Sequence, residues 1–222
     1  MTSGKLFSNT NKMKPTKILI ISAVIGLVLI TVFSLVSSQS EAADSKTDDL
    51  NYVERIDSLR KVQNDFMAKN ENSPFIIQEA SFASLSYFAV DENYKVSAVV
   101  EPIVMGKIHA LQTSNDKIKK YKEVALLHFD IVGKHGDLTL LQSEDKAHYF
   151  LPFYDETSAI TTYGAGRYLE VVYTGDESDI TLDFNNAYNP YCAYVDGYSC
   201  PVPPAKNQLK IAIEAGEKIY TH

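Results

Sequence analysis

Residues 18–36 form an uninterrupted apolar run, which constrains this chain more than any other feature of its sequence. The run reads ILIISAVIGLVLITVFSLV, and its only polar side chains are Ser22, Thr31 and Ser34. At 1.5 Å per residue, a helix of this length spans roughly the 30 Å hydrocarbon layer of a bilayer. A helix also satisfies its own backbone hydrogen bonds in lipid. The run therefore predicts a transmembrane helix over residues 18–36.

The charges on the two sides of the run predict its orientation. Residues 1–17 contain four lysines and no acidic residue, whereas Glu41 and Asp44 begin an acidic stretch after the run. Basic flanks stay on the cytoplasmic side of a membrane. We therefore expect a single-pass membrane protein whose basic tail, residues 1–17, is cytoplasmic. Its C-terminal part is expected to lie outside the cytoplasm, in the periplasm or another part of the cell envelope.

A cleaved signal peptide is the alternative interpretation of the same run. Ser38, Ser40 and Ala42 are small enough to form a processing site. The apolar core of a signal peptide usually has about 7–15 residues, and residues 18–36 form a longer run than that. The length favours an uncleaved signal anchor.

The charge balance of the remaining chain excludes one class of partner. Four of the 21 basic residues precede residue 41, and all 28 acidic residues lie within residues 41–222, which therefore carry a formal charge of −11. Binding to nucleic acid depends on basic groups that neutralise phosphates. No nucleic-acid partner is therefore expected.

The periodicity of the exported part predicts a mainly β fold that follows a helix. Residues 37–47 have the small, polar composition of a linker, and residues 48–70 repeat apolar side chains every three or four positions. From there on, four segments alternate apolar and polar residues with a period of two, as half-buried strands do: 94–101, 125–131, 180–184 and 209–214. Turn sequences separate these segments, including residues 133–137. We expect residues 48–222 to form one domain, an antiparallel sandwich or barrel preceded by an amphipathic helix.

A tyrosine-rich block near the C-terminus carries the most distinctive phrases of the sequence. Residues 149–198 hold nine of the fourteen tyrosines. The phrases are PFYDET, TTYGAGRY and DFNNAYNPYC, followed by CPVPPAKN and AGEKIY. In the order and spacing of these phrases, the chain resembles a bacterial family catalogued as domain of unknown function 1684. The resemblance covers roughly residues 50–220 and implies a single domain, often exported or anchored, with any special site near these phrases.

Arg167 is the most informative charged residue of the block. It follows Gly164 and Gly166, a pair that indicates a tight turn rather than a phosphate loop, because a strand and not a helix comes next. Its guanidinium fits a carboxylate, either of a ligand or of the chain itself. Asp155 and Asp183 are the candidate internal partners, and an internal ion pair is the favoured interpretation.

Further residues of the block suit a polar, aromatic binding site. Tyr163, Asn185 and Asn189 could line a pocket for a sugar or metabolite together with Arg167 and the two aspartates. Cys192 and Cys200 are predicted to form a disulfide, since exported proteins meet an oxidising environment.

One pair outside the block has metal-ligating chemistry. His128 and Asp130 lie two apart on a predicted strand and therefore share its outer face. They could provide two metal ligands, with a third from Asp183 or His148, but a solvated strand face is the favoured interpretation. Neither a metal nor another cofactor is predicted.

Two functions from different classes remain open at this point. The favoured one is a membrane-anchored accessory module of the cell envelope that binds a small molecule or an envelope protein. The alternative is an envelope hydrolase in which Asp155 or Asp183 acts as the base and Arg167 stabilises negative charge.

Overall fold

A computed structural model of the chain describes residues 51–112, 118–144 and 149–221. The predicted transmembrane helix (18–36), its basic tail (1–17) and the linker (37–47) lie outside these residues. Within the described ranges, no helix combines the length and the apolar character that a membrane crossing requires. The sheet belongs to the compact unit Ile56–His222.

The predicted helix is present as α1, Tyr52–Lys69, and a single turn, α2, Pro74–Ile77, follows it. The side chain of Asn51 accepts a hydrogen bond from the backbone of Glu54 at 3.1 Å, which caps the first turn of α1. Ser73 caps α2 in the same way, and its hydroxyl also donates to the carbonyl of Met67 at 2.6 Å. This double contact fixes the bend between the two helices.

The buried face of α1 differs from the predicted one. Ile56 is buried as the periodicity requires, but Leu59 and Val62 are 47% and 63% exposed, and near the end of the helix Met67 is buried while Phe66 is only partly so. Arg60 lies on the inner side of α1, where it donates to the carbonyl of Phe88 at 2.9 Å and covers the ring of Tyr87. This polar contact occupies part of the inner face, and two apolar side chains of the repeat stay on the surface.

Seven antiparallel strands form one sheet in the order β6-β5-β4-β3-β1-β7, with β2 paired to β3 outside this path. Their bounds are β1 Lys95–Pro102, β2 Ile108–Gln112, β3 Ile118–Ile131, β4 Lys134–Ser143, β5 Tyr149–Phe153, β6 Arg167–Leu169 and β7 Asp179–Asp183. The long strand β3 pairs with β1 through residues 125–129 and with β2 through residues 118–122. The mainly β prediction is confirmed.

The architecture is a single curled sheet, a half-barrel, and the predicted sandwich or closed barrel is wrong in this respect. The fourth predicted strand, residues 209–214, does not form a regular strand. Its backbone is bonded to the segment after β5, since the N–H of Leu209 donates to the carbonyl of Tyr154 and the carbonyl of Ile211 accepts from the N–H of Glu156. Leu209, Ile211 and Ile213 alternate inward as predicted and belong to the core formed with β1, β3 and β4. This segment packs on the inner face of the sheet, which a second sheet covers in a sandwich. The apolar face is therefore buried without a second sheet.

A buried asparagine joins this final segment to the sheet. Strands β4 and β5 pair only at Leu141↔Phe150 and Gln142↔Tyr149. Beyond these pairs the side-chain amide of Asn207 accepts from the N–H of Thr139 at 2.9 Å, and it donates to the carbonyls of Thr139 and Pro152 at 2.9 and 2.8 Å. Where β4 and β5 no longer pair with each other, the side chain of Asn207 therefore provides hydrogen-bond partners for their backbone groups.

Candidate functional site

Arg167 opens β6 at the centre of the tyrosine-rich block, and its side chain is 1% exposed. Its guanidinium donates to Asp155 Oδ2 at 2.9 Å and to the carbonyl of Ile213 at 2.8 Å. It also donates to the carbonyls of Ala215 and Glu217. Burial lowers the pKa of Arg167, and the charge of Asp155 opposes this effect. The predicted internal ion pair is therefore present, and it also holds the C-terminal segment.

The turn before Arg167 requires a glycine. Gly166 has φ +88°, and a Cβ there would lie 2.7 Å from the carbonyl oxygen of Phe153. The interpretation of this pair of glycines as a tight turn is confirmed by these values, since side chains rarely adopt that backbone conformation. The turn places Arg167 opposite Phe153, the last residue of β5.

Asp155 is fully engaged within the protein. Besides Arg167, its carboxylate accepts hydrogen bonds from the backbone N–H of Thr157 at 2.7 Å and from the hydroxyl of the same residue. Its side chain is 1% exposed, so a water molecule or substrate in solvent has no direct approach to it. This burial removes support for Asp155 as the general base of a hydrolase.

Asp183 and Asn185 lie apart from the arginine and tie β7 to the start of β1. Asp183 caps the 3-10 turn Phe184–Asn186 by accepting from the N–H of Asn185 at 3.1 Å. The amide of Asn185 donates to the carbonyl of Asp91 at 2.8 Å and accepts from the N–H of Asp91 at 3.0 Å. The structure therefore does not bring Asp183 to Arg167 as a second partner.

Asn189 belongs to a third group, around the buried carboxylate of Glu217. Both the backbone and the side chain of Asn189 donate to that carboxylate at 3.0 Å, and the hydroxyl of Tyr194 donates at 2.8 Å. Burial raises the pKa of Glu217 from 4.5 to about 7, although these donors oppose the shift. Sequence reasoning did not single out Glu217. The only signal for it was its position in the AGEKIY phrase.

Tyr163 contacts the cysteines rather than Arg167. Its hydroxyl lies 3.5 Å from the carbonyl oxygen of Cys192 and 3.8 Å from the sulfur of the same residue. Cys192 and Cys200 lie side by side, with the N–H of Cys192 donating to the Cys200 sulfur at 3.2 Å, and their disulfide stays a prediction. In the thiol form, the hydrogen bond with Cys192 and burial raise the pKa of Cys200.

The six predicted binding residues thus fall into separate groups and do not converge on one open site. Two grooves on the surface lie beside them instead. The first, which we call the aromatic groove, has a volume of about 560 Å³ and is lined by residues that include Gln78, Ser81, Phe82, Cys192, Asp196 and Tyr220. The second, the helix groove, has about 530 Å³ and is lined by residues that include Leu59, Val62, Gln63, Glu170, Asn185 and Asn186.

We expect the variant Arg167→Met to lose about 3–5 kcal/mol of unfolding free energy, because it leaves the carboxylate of Asp155 buried without its charge partner. The double variant Arg167→Met/Asp155→Asn should lose less than the sum of the two single variants. Urea denaturation measures both quantities. Lys210→Met removes an exposed cation from the same C-terminal segment and should change stability by no more than about 0.5 kcal/mol. A fully stable Arg167→Met protein would contradict the structural role of this arginine.

The raised pKa of Glu217 predicts a pH-dependent stability. Between its unfolded pKa of 4.5 and its folded pKa of about 7, the folded protein holds a proton that the unfolded chain has released. The contribution of Glu217 to the free energy of unfolding should therefore be full below pH 4.5 and fall by up to about 3 kcal/mol as the pH rises to 7. The variant Glu217→Gln should lack this component. Urea denaturation of both proteins between pH 4 and about 7.5 tests this prediction. If the free energy of unfolding changed equally with pH in the two proteins, the prediction would be refuted.

Comparisons with known proteins agree with the resemblance seen in the sequence. A family model described as "Protein of unknown function (DUF1684)" matches residues 80–218. The chain is similar to an uncharacterized protein of Haloarcula marismortui whose solution NMR structure is known, with 36% sequence identity and a TM-score of 0.58. That alignment covers 79% of this chain and 97% of the other. No curated protein matches the chain significantly. The family match covers more than half of the sequence, and the chain therefore belongs to the DUF1684 family of proteins of unknown function.

Proposed function

We propose that this protein is a membrane-anchored accessory domain of the cell envelope that binds a small ligand in the aromatic groove. The observation that carries the proposal is the composition of this groove, in which aromatic rings form the walls and a few polar groups lie between them. Ligand sites are typically concave and apolar, with a small number of polar groups that orient the ligand.

The walls of the aromatic groove are held in place from beneath. The rings of Phe82 and Tyr220 are nearly parallel, with centroids 6.3 Å apart, and Phe75 packs against both of them. The hydroxyl of Tyr220 also accepts a hydrogen bond from the N–H of Ala83 at 3.1 Å. Tyr220 is only 7% exposed, so the half-buried ring of Phe82 is the surface that a ligand can stack on, and its support by the other two rings limits the loss of conformational freedom on binding.

The charge of the groove restricts the ligand class. Among the described residues that line it, Asp196 is acidic and none is basic, while Gln78 and Ser81 offer neutral hydrogen-bonding groups. An anionic ligand would meet the carboxylate of Asp196 without a compensating cation. We therefore infer a neutral or cationic ligand that has a ring or apolar face together with hydroxyl or amino groups.

The hydrolase alternative is not favoured by the contacts of its proposed residues. Asp155 is buried against Arg167, and Asp183 caps the 3-10 turn that follows β7. General-base catalysis requires a carboxylate within hydrogen-bonding reach of the substrate or of a water molecule. Neither aspartate lines the aromatic groove.

Protein-observed NMR with the isotope-labelled full-length chain in detergent tests the proposed binding site. The panel contains neutral sugars, aromatic amines and, as the comparison class, small carboxylates. We expect neutral or cationic compounds to bind and to shift the backbone signals of Phe82, Ala83 and Asp196. The variant Phe82→Leu, which keeps an apolar side chain, should weaken binding about 3–10-fold through the loss of stacking.

The matched control is Val62→Ala, which removes an exposed apolar side chain from the helix groove. It should leave the affinity unchanged. Hits that shift signals only around the helix groove, or a preference for the carboxylates, would contradict the proposal.

The proposed anchoring rests on residues 18–36 and on the lysines that precede them. In spheroplasts of a bacterial host, an added protease should digest the domain while the spheroplasts are intact, because an extracytoplasmic domain is accessible from outside. Protection in intact spheroplasts, together with digestion after lysis, would refute this location. The mass of the mature protein distinguishes an uncleaved anchor from a processed signal peptide, for which the N-terminus would lie near residue 40.

A further inference from the structure

Two His-x-Asp pairs face each other across the hairpin formed by β3 and β4. Strand β3 contributes His128 and Asp130, and β4 contributes His135 and Asp137. The register places His128 opposite Asp137, and Asp130 opposite His135. Because side chains two apart share one face of a strand, all four lie together on the solvent side of the sheet. This His–Asp array is separate from both grooves.

The register of the hairpin is set by its turn and by one glycine. Val132 and Gly133 have φ +46° and +73° and form a two-residue turn that matches the twist of the strands. Between the two β4 ligands, Gly136 faces the core, where a Cβ would lie 3.0 Å from the ring of Phe129 and 3.2 Å from Leu209. Residues 133–137 were predicted as a turn, but the strand begins at Lys134. His135 and Asp137 are therefore strand residues that share one face of β4.

One carboxylate oxygen lies between the two imidazoles. Asp137 Oδ1 is 2.7 Å from Nδ1 of His128 and 3.2 Å from Nε2 of His135. Ligands of a tetrahedral zinc ion, each about 2.0–2.1 Å from the metal, lie roughly 3.3 Å from one another. These three residues can offer ligand atoms that all lie within 4.8 Å of one another, so small side-chain rotations bring them to one ion.

The remaining nitrogen of each imidazole already has a carboxylate partner. Nε2 of His128 lies 3.1 Å from Glu101 of β1, and Nδ1 of His135 lies 3.0 Å from Asp130. A carboxylate that accepts the N–H of a histidine fixes its tautomer and leaves the other nitrogen with a lone pair for a metal. The two nitrogens that face Asp137 Oδ1 donate N–H groups to it at 2.7 and 3.2 Å. Metal binding releases protons from its ligands, and loss of these protons leaves both lone pairs directed at one position.

We propose that the His–Asp array binds a zinc ion through Nδ1 of His128, Nε2 of His135 and a carboxylate oxygen of Asp137. Glu101 and Asp130 orient the two imidazoles. Two nitrogen ligands and one oxygen ligand suit Zn²⁺, whereas Ca²⁺ and Mg²⁺ prefer oxygen ligands alone. Three carboxylates near the site add negative charge that attracts a cation. Because the array is on the surface, the fourth coordination position is open to water.

Calorimetric titration of the full-length chain with ZnCl₂, at a pH where imidazoles are neutral, tests the affinity. We expect His128→Ala, His135→Ala and Asp137→Ala each to weaken the binding of zinc by about tenfold or more. Glu101→Gln keeps all three ligands and should still weaken binding by about tenfold, because it removes an orienting partner. Mg²⁺ should not compete.

His109→Ala is the matched control, since His109 pairs with Glu123 on a different part of the sheet. After this substitution Glu123 keeps its contact with Lys206, and zinc affinity should be unchanged. The imidazole nitrogen signals provide a second readout, in which zinc should move Nδ1 of His128 and Nε2 of His135. Equal affinity in wild type and the His128 and His135 variants, an equal loss in His109→Ala, or zinc shifts confined to other histidines would overturn the proposal.

Discussion

The guanidinium of Arg167 determines how this protein covers its single sheet. A curled sheet with one apolar face must bury that face, and here an extended segment of the same chain occupies it. Extended chain that is not part of a ladder has unsatisfied carbonyl groups, and Arg167 donates to three of them between Ile213 and Glu217. The positive charge of the buried guanidinium is balanced by the carboxylate of Asp155. The cost of desolvating the two ions is thereby offset by four hydrogen bonds and by the packing that they allow.

Hydrogen bonds from tyrosine hydroxyls also hold segments of the tyrosine-rich block together. Tyr194 donates to Glu217, Tyr168 donates to the carbonyl of Pro201 at 2.6 Å, and Tyr188 donates to Glu170. Each ring packs in an apolar environment while its hydroxyl finds a partner, as large aromatic side chains require when they are buried. The density of tyrosines in this block therefore reflects the need to attach irregular segments to the sheet. Most of the residues predicted to form a binding site therefore support the fold, whereas the proposed ligand sites are the aromatic groove and the His–Asp array.

Each groove lies beside a residue that is itself held by a hydrogen bond. Arg60 lines the helix groove with Leu59 and Val62 and donates to the carbonyl of Phe88, and Tyr220 lines the aromatic groove and accepts from the N–H of Ala83 with its hydroxyl. Side chains that are already held in place lose less conformational freedom when a ligand binds.

The sequence by itself determined the helix, three of the strands, the inward alternation of residues 209–213 and the need of Arg167 for an internal carboxylate. These features follow from local periodicity, and from the requirement that a buried charge has a partner. The sequence could not determine that this carboxylate is Asp155 and not Asp183, that Asn189 donates to Glu217, or that residues 134–137 are strand. Only the tertiary structure decided these points. Periodicity shows which side of a segment is buried, but the partner on that side depends on the path of the chain. Arg167 and Ile213, for example, are 46 residues apart in the sequence. Strand β4 needs a glycine at position 136 because the ring of Phe129 occupies the space that a side chain would fill.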